Sequence, residues 1–375
     1  MSGHDVQDEQ WAYNGRRYTM YRFPADVEAD LRKLNRPDNW HAALAWVADA
    51  VWIAGLILLC VYGSYWCYPL ALVLIGARQR GLSTILHDCA HGVGIANRTW
   101  QMAMGTVFTA YPIFQQHYAY KVSHVYTHHP RLGSPDLDPD LRFFIEQGAY
   151  RRAGNGAYVR RVVVMPLLGS QTWGYLRYLV RNRYRVLKGE GKAQAAAANP
   201  VQRRKQRLDR IGFWAFWAAV LGLAWYGGWL VGLVLFWFLP YLTSFQILGW
   251  YIELSEHTPL VRDSRVDLYM TRNRKSRLWE RLLTGIHNDH FHLEHHLDPR
   301  TPFYRLPEAR AIRLRDPAYA AVDAQFGGLF HKGPQGQQSA MSAIVRYMTT
   351  PTDTDPNTHL NPPTTATGET AHATA

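Results

Sequence analysis

The chain has 375 residues, 47% of them hydrophobic and 13% aromatic, with three cysteines and a formal net charge of +12. Cys60, Cys67 and Cys89 offer no disulfide framework and suit a reducing cytosolic side. The basic residues flank two apolar blocks instead of interleaving with aromatics along a groove, which argues against nucleic acid and for an anionic membrane surface.

Taken in order, residues 1–41 are polar and mixed in charge, carry no apolar core of a secretory signal, and read as a cytosolic arm. The first apolar block follows. Between Trp40 and Arg78 the only charged residue is Asp49, and two spans, at about 42–62 and 67–90, fit if the chain turns at Gly63-Ser64-Tyr65-Trp66 with Pro69 opening the return helix. Residues 100–118 are apolar but short and end in Gln115 and Gln116, which predicts an interfacial or re-entrant element. Residues 159–180, headed by Arg160 and Arg161, read as a helix lying on the membrane. An alanine-rich connector covers 189–200.

The second block repeats the hairpin at about 211–227 and 229–255, turning at Gly227-Gly228, with Pro240 predicted to kink its second helix. The stretch 181–210 holds ten Lys/Arg against two Asp/Glu, and neither hairpin turn carries a charge. By the positive-inside tendency, both termini and the middle segment lie in the cytosol. Trp40, Trp46, Trp66, Tyr68, Trp214 and Trp229 stand where an interfacial belt would want them. From Lys332 on, composition shifts to Thr, Pro, Asn, Gly and Ala, so 333–375 reads as a low-complexity, disordered tail after a membrane domain at 42–332. The fold class expected is an all-α integral membrane protein, four transmembrane helices in two hairpins under a cytosolic helical cap that carries a dinuclear metal site.

The metal reading comes from the histidines. Eight of seventeen fall in three short boxes: His87 and His91; His124, His128 and His129; His292, His295 and His296. Spacings of three and four residues turn rings to one side of a helix, and imidazole is the commonest neutral metal ligand. His257, past the fourth span, is a ninth candidate, with Glu253 one turn before it and Glu256 beside it. His117, His287 and His290 lie close to boxes but are not expected as ligands. Asp136, Asp138 and Asp140 alternate after the second box, as a solvated loop or as groups that orient the ligands. Nine imidazoles exceed the four ligands of a structural zinc site and fit two ions, with iron, copper and zinc all admissible. A haem or metal carrier without enzymatic activity would place histidines within the spans, where none lies away from the cytosolic ends.

HxxxH at the end of the second span, HxxxHH in the middle segment and NxxxHxxHH from Asn288 to His296, followed by Leu297-Asp298-Pro299, Pro302 and Leu306-Pro307, resemble the three histidine boxes of the integral-membrane fatty acid desaturases over about residues 40–310. The resemblance implies two iron ions held by His87, His91, His124, His128, His129, His257, His292, His295 and His296, with Asp88, Glu253 and Asn288 as neighbouring polar groups. It implies O2-dependent oxidation of an unactivated C–H bond in a lipid or fatty acyl chain, desaturation first, with hydroxylation, carotenoid oxidation or decarboxylation to a terminal alkene as the related outcomes. In acyl-CoA desaturases a water-holding Asn precedes the extra histidine by one turn; here that position is Glu253. No dinucleotide fingerprint, iron–sulfur cysteine set or fused haem domain is present, so electrons are expected from a ferredoxin or small cytochrome with its reductase.

Overall fold

The structure is a computed structural model describing residues 11–188 and 200–350. The first ten residues of the arm, most of the 189–200 connector and the tail from 351 lie outside the described residues. Among the described residues the fold is helical, with only two isolated β-bridges, Thr19 to Val266 and Phe326 to Gln338.

Helix α1 (Ala25–Leu34) packs Val27, Leu31 and Leu34 against Ala309 far along the chain, so this part of the arm is docked onto the C-terminal helical region. Helix α2 (His41–Leu58) runs on into a π-helical turn at Leu59–Gly63. The segment His41–Gly63 is long and apolar enough to cross a membrane, and it leaves Leu44, Val47, Val51, Trp52 and Leu58 exposed on its outer face. Ser64 caps the turn and Pro69 sits in the first turn of α3 (Tyr68–His91). That helix stops at Gly92, whose φ of +89° is a conformation glycine adopts without the Cβ clash.

Between the blocks lie short helices, among them α4 (Arg98–Ala103), α5 (His117–Ser123) and α6 (Pro139–Glu146). The segment expected as one surface helix over 159–180 is broken: helical turns reach Leu167, the chain reverses through Gly169 at φ +75°, and α7 (Thr172–Lys188) begins anew. Helix α8 (Pro200–Tyr226) starts eleven residues before the expected span, because proline is suited to a helix's first turn. The last block, Leu230–Asp263, is the second segment long and apolar enough to cross. It bulges into a π-turn at Val234–Phe238 just before Pro240 and continues as α9 (Ser244–His257).

Helix α3 lies between α2 and α9. It meets α9 where Gly76 faces Ser244: a Cβ on residue 76 would stand 2.1 Å from the serine Oγ, and that hydroxyl donates to Leu72 O at 2.6 Å. Small residues of this kind let apolar helices approach closely.

Beyond the second block come α10 (Leu278–Thr284), α11 (His292–Leu297), α12 (Leu306–Arg313), α13 (Pro317–Asp323) and α14 (Ala340–Thr349). The last corrects the expectation of a disordered tail from 333. Met341, Ile344, Tyr347 and Met348 recur at helical spacing and pack with Tyr150, Tyr158, Trp250 and Met270, and Ser339 caps the helix by accepting from Ser342 N. Ten patterned residues were diluted by the Thr- and Pro-rich run behind them.

Candidate metal centre

The three boxes reach one place by different local routes. His87 and His91 are one turn apart at the end of α3. His124 and His128 bracket a π-helical turn that continues α5, so each projects inward although they are four residues apart in an underwound helix. His292, His295 and His296 lie on the single short helix α11. The nine candidates form two adjoining groups. In one, His87, His91, His124, His129 and His295 bring ligand atoms within 4.8 Å of one another; in the other, His128, His257 and His296 do the same. His292 joins the second group, its Nε2 lying 3.2 Å from His257 Nε2 and 3.1 Å from His296 Nε2. The rings of His129 and His296 stack at 4.4 Å between centroids and connect the groups.

The ring atoms test whether metal ions fit. His129 Nε2 stands 3.2 Å from His124 Nε2 and 3.0 Å from His295 Nε2, so lone pairs converge that each need a proton or a shared cation between them. His87 Nε2 and His91 Nε2 are buried with no hydrogen-bond partner among the described residues. Burial first, then neighbouring rings, holds His129, His292, His295 and His296 well below the usual histidine range, and burial brings His124 down to about 3. Neutral imidazoles with free inward nitrogens are what a cation requires, and the donor set fits two ions.

The second ring nitrogens of His87, His257 and His128 are held by partners, whereas His296 Nδ1 is buried with none among the described residues. Asp88 sits 3.2 Å from His87 Nδ1, and its other oxygen accepts from Phe303 N at 2.6 Å. His257 Nδ1 donates to Met270 O at 3.2 Å, with Thr271 Oγ1 equally near. His128 Nδ1 donates to Asp138 Oδ1 at 2.9 Å, the same oxygen that caps α6 by accepting from the N–H groups of Asp140 and Leu141. Burial works against protonation of His128, yet Asp138 and then Asp140 outweigh it and push the ring up to about 9; independently of that, the Asp138 acceptor holds the Nδ1 proton and leaves Nε2 as the position an ion would take in place of a proton. Asp138 and Asp140 of the alternating run therefore face the histidines, while Asp136 is exposed.

Glu256, not Glu253, approaches a candidate ligand: its carboxylate is 3.4 Å from His292 Nε2 and 3.6 Å from Arg274. Glu253 instead pairs with Arg80 at 2.9 Å. Asn288 donates to Phe303 O at 3.1 Å. The three histidines not expected as ligands turn elsewhere, His117 to Gly105 O, His290 to Gly285 O and His287 to Asp49 at 2.7 Å. Asp49 is fully buried in α2 and also contacts Arg78, which in turn donates to Leu282 O. It ties the first apolar segment to a stretch where His287 and Asn288 both adopt φ near +60°. Its isolation among apolar residues was the sequence signal for such a role.

Beneath α11, Glu294 is fully buried and accepts from Asn273 Nδ2 at 2.9 Å, from Tyr319 and from Arg313. A cavity of about 170 Å³ opens beside the histidines, with Ile286, Phe291, Phe303 and Leu306 among its apolar lining.

A family profile described as fatty acid desaturase matches residues 63–326. The chain is 42% identical over 338 residues to a dihydrorhizobitoxine desaturase of Bradyrhizobium elkanii, covering 90% of this chain and 93% of that one. It is 24% identical over 268 residues to an sn-1 acyl-lipid omega-3 desaturase (ferredoxin) of a Synechocystis strain, covering 70% and 71%.

Proposed function

Because the chain belongs to the fatty acid desaturase family and is an oxidoreductase, we propose that it introduces a carbon–carbon double bond with O2 at a di-iron centre. The observation that carries this reading is the convergence of nine histidines from four distant segments into two adjoining groups. His87, His91, His124, His129 and His295 would hold one iron, and His128, His257, His292 and His296 the other. When bound, the two irons supply the O2 reduction that yields an oxidant strong enough to remove hydrogen from an unactivated C–H bond.

The reaction balances as –CH2–CH2– plus O2, two electrons and two protons giving –CH=CH– and two waters. The electrons come from an external carrier, a ferredoxin or a small cytochrome with its reductase; the Synechocystis relative carries ferredoxin in its name. Asp138 holds the Nδ1 proton of His128, Asp88 orients His87, and the Met270 carbonyl fixes His257. Ile286, Phe291, Phe303 and Leu306 keep water from the reacting carbons.

Four crossings in two hairpins, with both termini and the site on the cytoplasmic side, are part of this reading. The two long apolar segments support it, as do the exposed Trp214, Leu221, Leu223 and Trp225 on α8 and the basic residues at that helix's N-terminal end. The catalytic unit takes in residues 42–332 together with α14. Purified full-length protein should contain two irons per chain and show no haem absorption. Given a ferredoxin and reductase, it should consume O2 and yield an alkene. An alcohol as sole product would move the assignment to hydroxylation, and a chain without iron would overturn it.

A further inference from the structure

Helix α10 is built the wrong way round for a surface that faces water. Its one carboxylate, Glu280, is fully buried, where it accepts from Leu329 N at 3.0 Å and Phe330 N at 2.8 Å and lies 2.8 Å from His331 Nδ1. Leu278, Trp279 and Leu282 face outward instead, 74%, 48% and 40% exposed. An amphipathic helix on a soluble protein turns its leucines in and its glutamate out, so an apolar face of this kind marks a surface that something covers. Leu283 and Thr284, at the end of the same helix, line the histidine cavity. These seven residues are therefore a wall between that cavity and the apolar surface.

The neighbours of α10 say what covers it. Leu282 O accepts from Arg78 Nη2 at 2.7 Å, and the same guanidinium lies over the Trp52 ring at 5.8 Å. Trp52 belongs to α2, in a segment long and apolar enough to cross a membrane, and with Val51 it is exposed on that helix's outer face. The apolar face of α10 thus continues the face that a crossing α2 gives to lipid, and a soluble protein docked there would have to share that ground. Charge points the same way. Arg277 and Arg281 are exposed, and with Glu280 turned inward the outer face of this stretch carries positive charge alone. Arginine lays its stem along apolar surface while its head reaches polar groups, and a guanidinium binds phosphate in a forked geometry.

We propose that α10 is an anionic-lipid site: Leu278, Trp279 and Leu282 lie among acyl chains beside α2, and Arg277 and Arg281 reach the phosphate groups of anionic phospholipids. The inference rests on the reading that α2 crosses a membrane and is independent of the reaction performed at the histidines. It gives Glu280 a positioning role. By holding the N–H groups of Leu329 and Phe330, that carboxylate fixes the rotation of the helix and so decides that leucine and tryptophan, not a charge, meet the bilayer. One face of the helix is then seated in lipid while its C-terminal end shapes the cavity.

Full-length protein in nanodiscs of mixed phosphatidylcholine and phosphatidylglycerol tests this, with a photoreactive diazirine on the acyl chain of one lipid or the other and adducts mapped by mass spectrometry. Leu278, Trp279 and Leu282 should be labelled in yields comparable to those of Val51 and Trp52, while Glu280 stays unlabelled. The phosphatidylglycerol probe should label α10 at least about threefold more than the phosphatidylcholine probe, since each basic group near the surface favours anionic lipid. Replacing both arginines, Arg277→Gln with Arg281→Gln, should bring that ratio down to about one while Val51 and Trp52 keep their labelling. Labelled Val51 and Trp52 with α10 blank overturns the lipid site and leaves the crossing of α2 standing; all five residues blank overturns both. A wild-type ratio already near one overturns the anionic preference, and crosslinks from α10 to a second copy or to an added ferredoxin in place of lipid give the face to a protein and overturn the proposal.

Discussion

Replacing Glu294 by Gln should destabilise the protein through a residue that is not itself a ligand. Glu294 is fully buried, and its carboxylate faces Arg313, which is 1% exposed and also reaches the Glu294 carbonyl at 3.4 Å. Glutamine keeps an acceptor for Asn273 and Tyr319, so the loss falls on the guanidinium, left in the interior without a counter-charge. Removing one partner of a buried pair costs about 3–5 kcal/mol, which for a chain of this size lowers the thermal midpoint by about 4–6 °C. Because residue 294 lies between His292 and His295 on a six-residue helix, iron content should fall as well. A thermal scan of the full-length protein in detergent and iron analysis of the same sample measure both. Adding Arg313→Met removes the orphaned charge and should recover at least half of the lost stability, the non-additivity expected of contacting residues. A Glu294→Gln variant within about 2 °C of wild type, or a double variant worse than the sum of the singles, would refute the reasoning.

His292→Ala should abolish turnover while the protein still enters membranes at wild-type level; full activity would refute its ligand role. His290→Ala, by contrast, removes a ring bonded to a carbonyl and should leave both irons in place, as metal analysis would show. Asp49→Asn weakens the link from α2 to His287 and should cost about 1.5–3 kcal/mol, the range for hydrogen bonds to charged groups, read as a lower thermal midpoint with iron retained. Burial holds the Asp267 carboxyl up at about 6 against an ordinary 3.8, although the N–H groups of Tyr21 and Leu268 pull it down. The folded state therefore binds this proton more tightly than the unfolded one. Stability should fall by up to about 3 kcal/mol as pH rises from about 4 to about 6, with no further loss from this group above that. Subtracting the pH profile of Asp267→Asn from that of wild type isolates the effect, and two parallel profiles would disprove it.

The grouping of the histidines was legible because each box is local: spacings of three and four residues survive in any helix, and even the π-turn at His124–His128 kept both rings inward. His257 was legible from its place at a helix end. What sequence could not reveal depends on how distant helices cross. Arg80 meets Glu253 only because Gly76 lets α3 close on α9, and Asp49 meets His287 across 238 residues. Glu253 stood out as a departure, but its partner Arg80 was invisible. The helix at 340–349 was hidden for a different reason, since composition averaged over a long window masks a ten-residue amphipathic pattern. Pro200 similarly began α8 well upstream of the apolar run at 211–227.

Asp138 Oδ1 serves a histidine and a helix start with one atom. On the proposed di-iron reading, folding of this corner and occupancy of the centre would be coupled through that atom. An ion that locked His128 would lock the carboxylate too, and the first turn of α6 would inherit that rigidity. Without the ion, the amides of Asp140 and Leu141 are the place where the loss should first be felt as faster hydrogen exchange. A longer side chain at 138 could follow the ring or the helix but not both, so the length of one aspartate is constrained from two directions at once.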